Sequence, residues 1–162
     1  MKKFSSYVIA VFLGIGASHA GQWEDGYAAY QRKDYTTAVA KWQIVADSGN
    51  AQAQSLLGLM YFFGQGVPQN YVIALRWLHL AAAQSEPKAQ FKLGSIHANG
   101  QGVKRDKVRA AMWFILASSS GHPKAQKELR KISADLSPAE IQEANKLAIN
   151  CMNRNYKACE LD

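Results

Sequence analysis

The chain has 162 residues, 48 % of them hydrophobic, and a formal net charge of +7. That is one ordinary domain with ample material for a core. It contains no low-complexity segment and no linker long enough to divide it into two domains.

The first stretch reads as a leader. Lys2 and Lys3 precede an apolar run from Tyr7 to Ile15, and Ser18-His19-Ala20 places small residues at −3 and −1. The run is about half the ~20 residues that a bilayer span needs. A cleaved signal peptide over residues 1–20 is expected, with a mature start at Gly21 and a net charge of +5 once Lys2 and Lys3 are gone. The expected address is the periplasm, with secretion as the alternative. No other segment is expected to cross a membrane.

Helical signals then come in pairs. Trp23 to Gln31, with Tyr27 and Tyr30 three apart, is followed by the polar turn Arg32-Lys33-Asp34. Tyr35 to Ala46 carries Ala38, Trp42, Val45 and Ala46 on one face. Residues 21–50 therefore read as a divergent helix pair. Trp42 falls one residue out of register with the later Trp77.

Asn50 is a good N-cap for Ala51–Phe63, whose buried stripe is Ala53, Leu57, Met60 and Tyr61. Gly64-Gln65-Gly66-Val67 ends that helix, and Gly64 and Gly66 are expected to supply positive φ. Asn70 caps Tyr71–Ala83, with Ala74, Trp77, Leu78 and Ala81 inward. The plan recurs 36 residues on. Pro87–Ala98 ends in the structural turn Gly100-Gln101-Gly102-Val103, and Asp106 caps a helix facing in through Ala110, Trp113, Phe114 and Ala117. Gly58 and Gly94 lie inside the first helices and point to a close helix approach. A third first helix is expected over Pro123–Lys131. Arg130 replaces the glycine there and no third GQGV follows, so the array stops. Ser137-Pro138-Ala139-Glu140 opens a last helix with a capping box. Its stripe of Ile141, Ala144, Leu147, Ala148 and Cys151 would cover the open end of the array.

A fixed period of this length marks stacked repeats. Residues 51–86 and 87–122 resemble two Sel-one-like repeats (SLR), a subfamily related to tetratricopeptide repeats. The resemblance rests on Ala53-Gln54, Leu57-Gly58, Gly64-Gln65-Gly66-Val67-Pro68, Ala74 and Trp77, repeated as Ala89-Gln90, Leu93-Gly94, Gly100-Gln101-Gly102-Val103, Ala110 and Trp113. His97 departs from Tyr61, Lys104 from Pro68, Lys107 from Tyr71, and Ser85 from the glycine common before the next unit. The resemblance implies an all-α superhelix used as an adaptor or scaffold, with no shared chemistry. The expected fold is a right-handed α/α solenoid of helix pairs. Residues 123–162 would supply a truncated repeat helix, a capping helix and a disulfide-closed tail.

Chemistry is sparse. Cys151 and Cys159 are the only cysteines, and in an exported chain they read as a disulfide. Eight helical residues rise about 12 Å, so the helix must end near Cys151 for the chain to fold back. His79, His97 and His122 show no ligand spacing, so no metal or cofactor is expected. Ser85-Glu86-Pro87-Lys88 spells S-x-x-K, a β-lactam enzyme pattern, but its partner motifs K-T-G and S-D-N are missing. It reads as a solvated turn, and the protein as a non-enzyme. Trp77 and Trp113 are expected in the core, whereas Phe62, Phe63 and His97 are candidates for exposure.

Residues 101–131 hold eight Lys and Arg against Asp106 and Glu128. The leader and the lack of a nucleic-acid motif argue for an acidic protein segment rather than nucleic acid. The expected docking residues are Gln52, Ser55, Phe62, Lys88, Lys92, Ser95, Lys124 and Lys127, on the concave side of the first helices. The alternative reading is a cell-wall-polymer binder, or a β-lactam-interacting enzyme through Ser85 and Lys88.

Overall fold

The computed structural model of the protein describes residues 21–154 and Cys159. The expected leader lies outside the described residues. Residues 21–31 are helical (α1). Then follow α2 (Tyr35–Asp47), α3 (Ala51–Phe63), α4 (Tyr71–Ala82), α5 (Pro87–Asn99), α6 (Lys107–Ser119), α7 (Ala125–Ser133) and α8 (Pro138–Asn153). Among the described residues there is no strand. None of the described helices is long and apolar enough to cross a membrane.

Side chains start most of these helices. Asn50 Oδ1 accepts from the Ala53 N–H (2.9 Å), Asn70 Oδ1 from Ile73 (3.0 Å), and Asp106 Oδ1 from Arg109 (2.9 Å). Glu86 caps α5 through the Ala89 N–H (2.6 Å), with Pro87 at the first helical position. Ser137 and Glu140 form the expected capping box on α8. The helix expected from Pro123 begins instead at Ala125. Lys124 stands at its N-cap and makes no side-chain cap bond.

The two GQGV turns are copies in geometry as well as in sequence. Gly64 (φ 68°) and Gly100 (φ 70°) end α3 and α5 in the left-handed region, and their N–H groups donate to the Met60 and Ile96 carbonyls. L-residues pay a steric cost there that glycine does not. Asn70 N–H then returns to Tyr61 O and Asp106 N–H to His97 O, both at 2.9 Å.

The second glycine of each turn serves another purpose. A Cβ on Gly66 would fall on the Tyr35 carbonyl, and one on Gly102 would lie 2.6 Å from Tyr71 Cβ. Each turn is thus pressed onto the start of the preceding unit's second helix. The far end of that helix is held as well. Gln54 Nε2 donates to Ala46 O (3.1 Å) and Gln90 Nε2 to Ala82 O (3.3 Å), again 36 residues apart. α3 therefore grips both ends of α2, and α5 grips both ends of α4.

Within a unit the two helices meet at a glycine. A Cβ on Gly58 would stand 2.7 Å from Leu78 Cγ, and one on Gly94 2.7 Å from Phe114. The first pair follows the same rule, because Gly26 lies under the Trp42 ring, 2.5 Å from Nε1 to its ideal Cβ. Trp42 is therefore the counterpart of Leu78 and Phe114, not of Trp77. The turn from α1 to α2 holds residues 32–34, while the later turns hold residues 64–70 and 100–106. The first pair is thus a repeat whose turn is four residues shorter.

Two apolar clusters result. Ala29, Ala38, Trp42, Ala46, Leu57 and Met60 join α1, α2 and α3. Leu78, Leu93, Ile96, Met112, Trp113 and Leu116 continue the core, closed by Ala148 and Cys151 of α8. Trp113 is buried as expected, but Trp77 is only half-buried against the first cluster. α6 carries both α7 and α8, so the cap covers the last full unit. Cys151, 2 % exposed, is disulfide-bonded to Cys159, with Cα atoms 4.9 Å apart. α8 ends at Asn153. Such a bond points to an oxidising, non-cytoplasmic setting.

Ser85 sits at φ 61°, where the equivalent positions are Gly49 (φ 96°) and Gly121 (φ 86°). All three leave the second helix of a unit. The S-x-x-K pattern is therefore the departure from α4 followed by the first turn of α5.

Three stability measurements test this account by urea denaturation. Gly66→Ala combines left-handed strain with a clash against Tyr35 and should lose about 3 kcal/mol or more. Val72→Ala, at a position 79 % exposed, should lose little. Ser85→Gly should gain about 1 kcal/mol by relieving a strained serine. Equal midpoints for all three variants would overturn the turn geometry. In the same assay Cys159→Ser should cost about 2.5 kcal/mol, the loop entropy of an eight-residue closure. Faster amide exchange should be confined to α8 and its contacts on α6. Unchanged protection of α8 would refute its role as a stapled cap.

Candidate functional site

The first helices α3, α5 and α7 present a face not used against α4 and α6. The expected docking residues divide on it. Gln52, Lys88, Lys124 and Lys127 are exposed, and Lys92 and Ser95 are half-buried. Two are less open than expected. Ser55 is 2 % exposed and Phe62 3 % exposed, because the neighbouring units cover both. His97, a candidate for exposure, is also buried, at 6 %. Phe63 is open, at 57 %.

Lys92 and Phe62 nonetheless meet. Lys92 Nζ lies 3.5 Å from the Phe62 ring centroid and 4.5 Å from that of Phe63. Both rings stand in the last turn of α3, whose carbonyl end also favours a cation. Phe62 is the floor of this platform, braced by Phe63 and Tyr71 at 5.1 Å, and Phe63 is its exposed edge. Burial lowers the Lys92 pKa from 10.5 to about 8.

Lys88 and Lys124 flank His122, which stacks on Phe91 at 4.0 Å. Burial holds His122 below its ordinary pKa. Glu86 opposes that shift, and Lys124 and Lys88 add to it. The imidazole is therefore neutral near pH 7, and its Nδ1 accepts from the Lys124 N–H at 3.3 Å. Among the described residues no carboxylate is in ion-pair range of Lys88, Lys92, Lys124 or Lys127. Lys41, Lys107, Lys131 and Lys146 each have an acidic partner. The basic excess expected from residues 101–131 is thus divided. Lys107 and Lys131 are neutralised by Asp135 and Glu128, and the lysines of this face are not.

Hollows open on the surface of the described residues at three places of interest. One of about 600 Å3 is bounded by His97, residues 103–109 and Glu140. One of about 220 Å3 lies between Ser95 on α5 and Glu128, Lys131 and Asp135 near α7. The third, about 250 Å3, is lined by Trp23, Tyr27, Tyr30 and Trp42 together with Gln52, Ser55, Leu56, Glu86 and Lys88. Sequence reasoning placed Gln52, Ser55 and Lys88 on a binding face. It missed the aromatic wall, although Trp23, Tyr27 and Tyr30 follow the i, i+4, i+7 spacing of one helix face. Among the described residues no group of His, Cys, Asp or Glu is placed to hold a metal ion.

The Sel1 repeat family model matches residues 51–86 and 87–122. No curated protein sequence matches the chain. Among solved structures, the chain is similar to c5321, a protective antigen present in uropathogenic Escherichia coli strains and displaying an SLR fold. That match has a TM-score of 0.80 and 25 % identity, over 90 % of this chain and 32 % of that one. It is also similar to a Sel1 repeat protein from Oxalobacter formigenes, with a TM-score of 0.64 and 33 % identity, over 68 % of this chain and 47 % of that one. The chain therefore spans about a third and about half the length of these two structures. Sel1 repeat proteins are generally protein-interaction scaffolds. The paired glycine turns, the inter-unit glutamines and the family match agree, and residues 51–86 and 87–122 are two Sel1 repeats.

Proposed function

We propose that the protein is an exported, non-catalytic adaptor that docks an acidic segment of a protein partner along the face formed by α3, α5 and α7. The observation that carries this reading is the set of four lysines, Lys88, Lys92, Lys124 and Lys127, left without internal carboxylates on a face that is otherwise polar and accessible. Unneutralised cations in a row steer acidic ligands and make association salt-sensitive, since screening sets in at about 8 Å at physiological ionic strength. Lys92 adds an aromatic platform beside its charge, so an acidic residue and an apolar neighbour can be taken together.

The proposed compartment is the periplasm, with secretion as the alternative. The Lys2-Lys3 start, the apolar run after it and the Cys151–Cys159 bond support export. Likeness to a protective antigen is in keeping with a protein outside the cytoplasm. The turn role of Ser85 and the absence of partner motifs argue against β-lactam chemistry at Ser85 and Lys88.

The test uses a labelled peptide of alternating Glu and Gly, with a Lys and Gly peptide as control. The acidic peptide should bind, more weakly as salt rises. Reversing Lys92, Lys124 and Lys127 together to Glu should weaken it by about ten-fold or more while helical content stays unchanged. Unaltered affinity and salt dependence in the triple variant would overturn the docking face. Capture of an anionic wall polymer in preference to the peptide would overturn the protein-partner reading.

The Lys92 pKa supplies a second test. A carboxylate beside Lys92 favours its charged form, and in the free protein that form is lost as pH rises through about 8. Affinity for the acidic peptide should fall between about pH 7 and 9, and Lys92→Arg, charged throughout, should abolish the fall. In folding the sign is opposite. The unfolded chain holds this proton up to 10.5, so neutralising Lys92 adds stability as pH rises from about 8. A pH profile identical in wild type and Lys92→Arg would remove Lys92 from the docking face.

A further inference from the structure

Stacked repeats place equivalent side chains at equivalent points, so one small residue in such a series leaves a gap. With the first turn four residues shorter, Trp23 on α1 corresponds to Ser55 on α3 and Phe91 on α5. The series runs ring, hydroxyl, ring. Where the middle ring is missing lies the cavity of about 250 Å3 walled by Trp23, Tyr27, Tyr30 and Trp42. Protein interiors fill such volumes, and rings facing an empty space forgo contacts that a guest would restore.

The cavity has a polar point as well. Ser55 is 2 % exposed, yet its Oγ has no hydrogen-bond partner among the described residues. A buried hydroxyl left unpaired is costly, and a guest that donates to it removes that cost. Trp42 is no more open, at 1 %, so Ser55 and Trp42 form the floor. Tyr27 and Tyr30, 50 % and 37 % exposed, form the rim and leave the entrance open. Trp23 and Trp42 stand 6.0 Å apart and Tyr30 and Trp42 5.5 Å, tilted rather than stacked, so the rings bound a concave wall. Glu86 and Lys88 at the edge carry opposite charges, and the Glu86 carboxylate is already engaged by the Ala89 N–H. The lining therefore suits a neutral guest rather than a cation or an anion.

We propose that this cavity receives one tyrosine or tryptophan side chain from a peptide segment. The ring packs against Trp23 and Trp42, and its phenol O–H or indole N–H donates to Ser55 Oγ. Exposed Gln52 at the edge offers its amide to the peptide backbone. That the guest belongs to a peptide rests on the docking function proposed above. The site itself rests on the cavity and on Ser55.

The test uses N-acetyl-tyrosinamide, which carries no charge and cannot form an ion pair with the lysines. Titrated into 15N-labelled protein, it should shift the indole N–H signals of Trp23 and Trp42 in a saturable manner, at about millimolar concentration, and leave those of Trp77 and Trp113 in place. N-acetyl-phenylalaninamide, lacking the hydroxyl, should bind about ten-fold more weakly. Ser55→Ala should bring the two probes together by weakening tyrosinamide alone. Ser55→Phe, which fills the gap from within, should abolish both shifts while raising the melting temperature. Absence of shifts at Trp23 and Trp42, or equal affinity of the two probes for the wild type, would overturn the proposal. Tighter binding of a tri-N-acetylglucosamine probe than of tyrosinamide would overturn it in favour of a saccharide site. Loss of acidic-peptide binding with tyrosinamide binding intact would sink the docking reading alone, and the reverse result would sink this site alone.

Discussion

The architecture depends on how each helix pair grips the one before it. Gly66 and Gly102 let a turn press on the first residue of the preceding second helix, at Tyr35 and Tyr71. Gln54 and Gln90 donate to carbonyls in the last turns of the same helices, at Ala46 and Ala82. Those carbonyls each accept a backbone N–H as well, from Gly49 and Ser85 at 2.9 Å, so the glutamines occupy their second lone pair and tie the next unit to the helix end. One end is thus held by steric closeness and the other by hydrogen bonding. Where the grip fails the array fails with it. Gln126, at the third such position, is exposed and takes the Ser118 hydroxyl instead, and α7 starts without a side-chain cap.

The proposed docking face has two characters. Along α5 and α7 the inner positions include lysines with no carboxylate in ion-pair range among the described residues. Along α1 and α3 they are rings around a small serine, so the surface is indented and apolar. A charged row attracts from a distance and discriminates weakly, whereas a shaped apolar cavity acts only on contact and discriminates by fit. Both characters occur on one run of first helices.

Much of the fold was legible in the sequence because the period is strict. The offset of 36 residues located both turns, the capping residues Asn50, Asn70 and Asp106, and the glycines of close approach at 58 and 94. The first pair was harder to read. Trp42 looked out of register with Trp77 because a four-residue deletion in the turn shifts only α1. The true counterpart, Gly26 beneath the Trp42 ring, emerges only when the two helices are in contact. The site was less legible. A stripe read from one helix shows the face turned to its own partner but not what the next unit covers. For that reason Ser55 and Phe62 were placed in solvent and are buried. The cavity lining as a whole draws on four separate elements, α1, α2, α3 and the start of α5, and the stripe of rings on α1 announces only one side of it.

Because α2 and α4 are each held at both ends, the pairs that meet there have little freedom to twist or slide against one another. Interfaces of this kind behave as discrete packings rather than as elastic joints. Lys88 stands at the edge of the ring-walled cavity and Lys92 one turn further along α5, so the spacing from the cavity to these lysines is set by a single helix. For the docking proposed above, that spacing is a ruler. A chain laid across it is measured for the distance between its features as well as for their chemistry. Two segments of identical composition, differing only in how many residues part a ring from an acid, would be told apart by length alone.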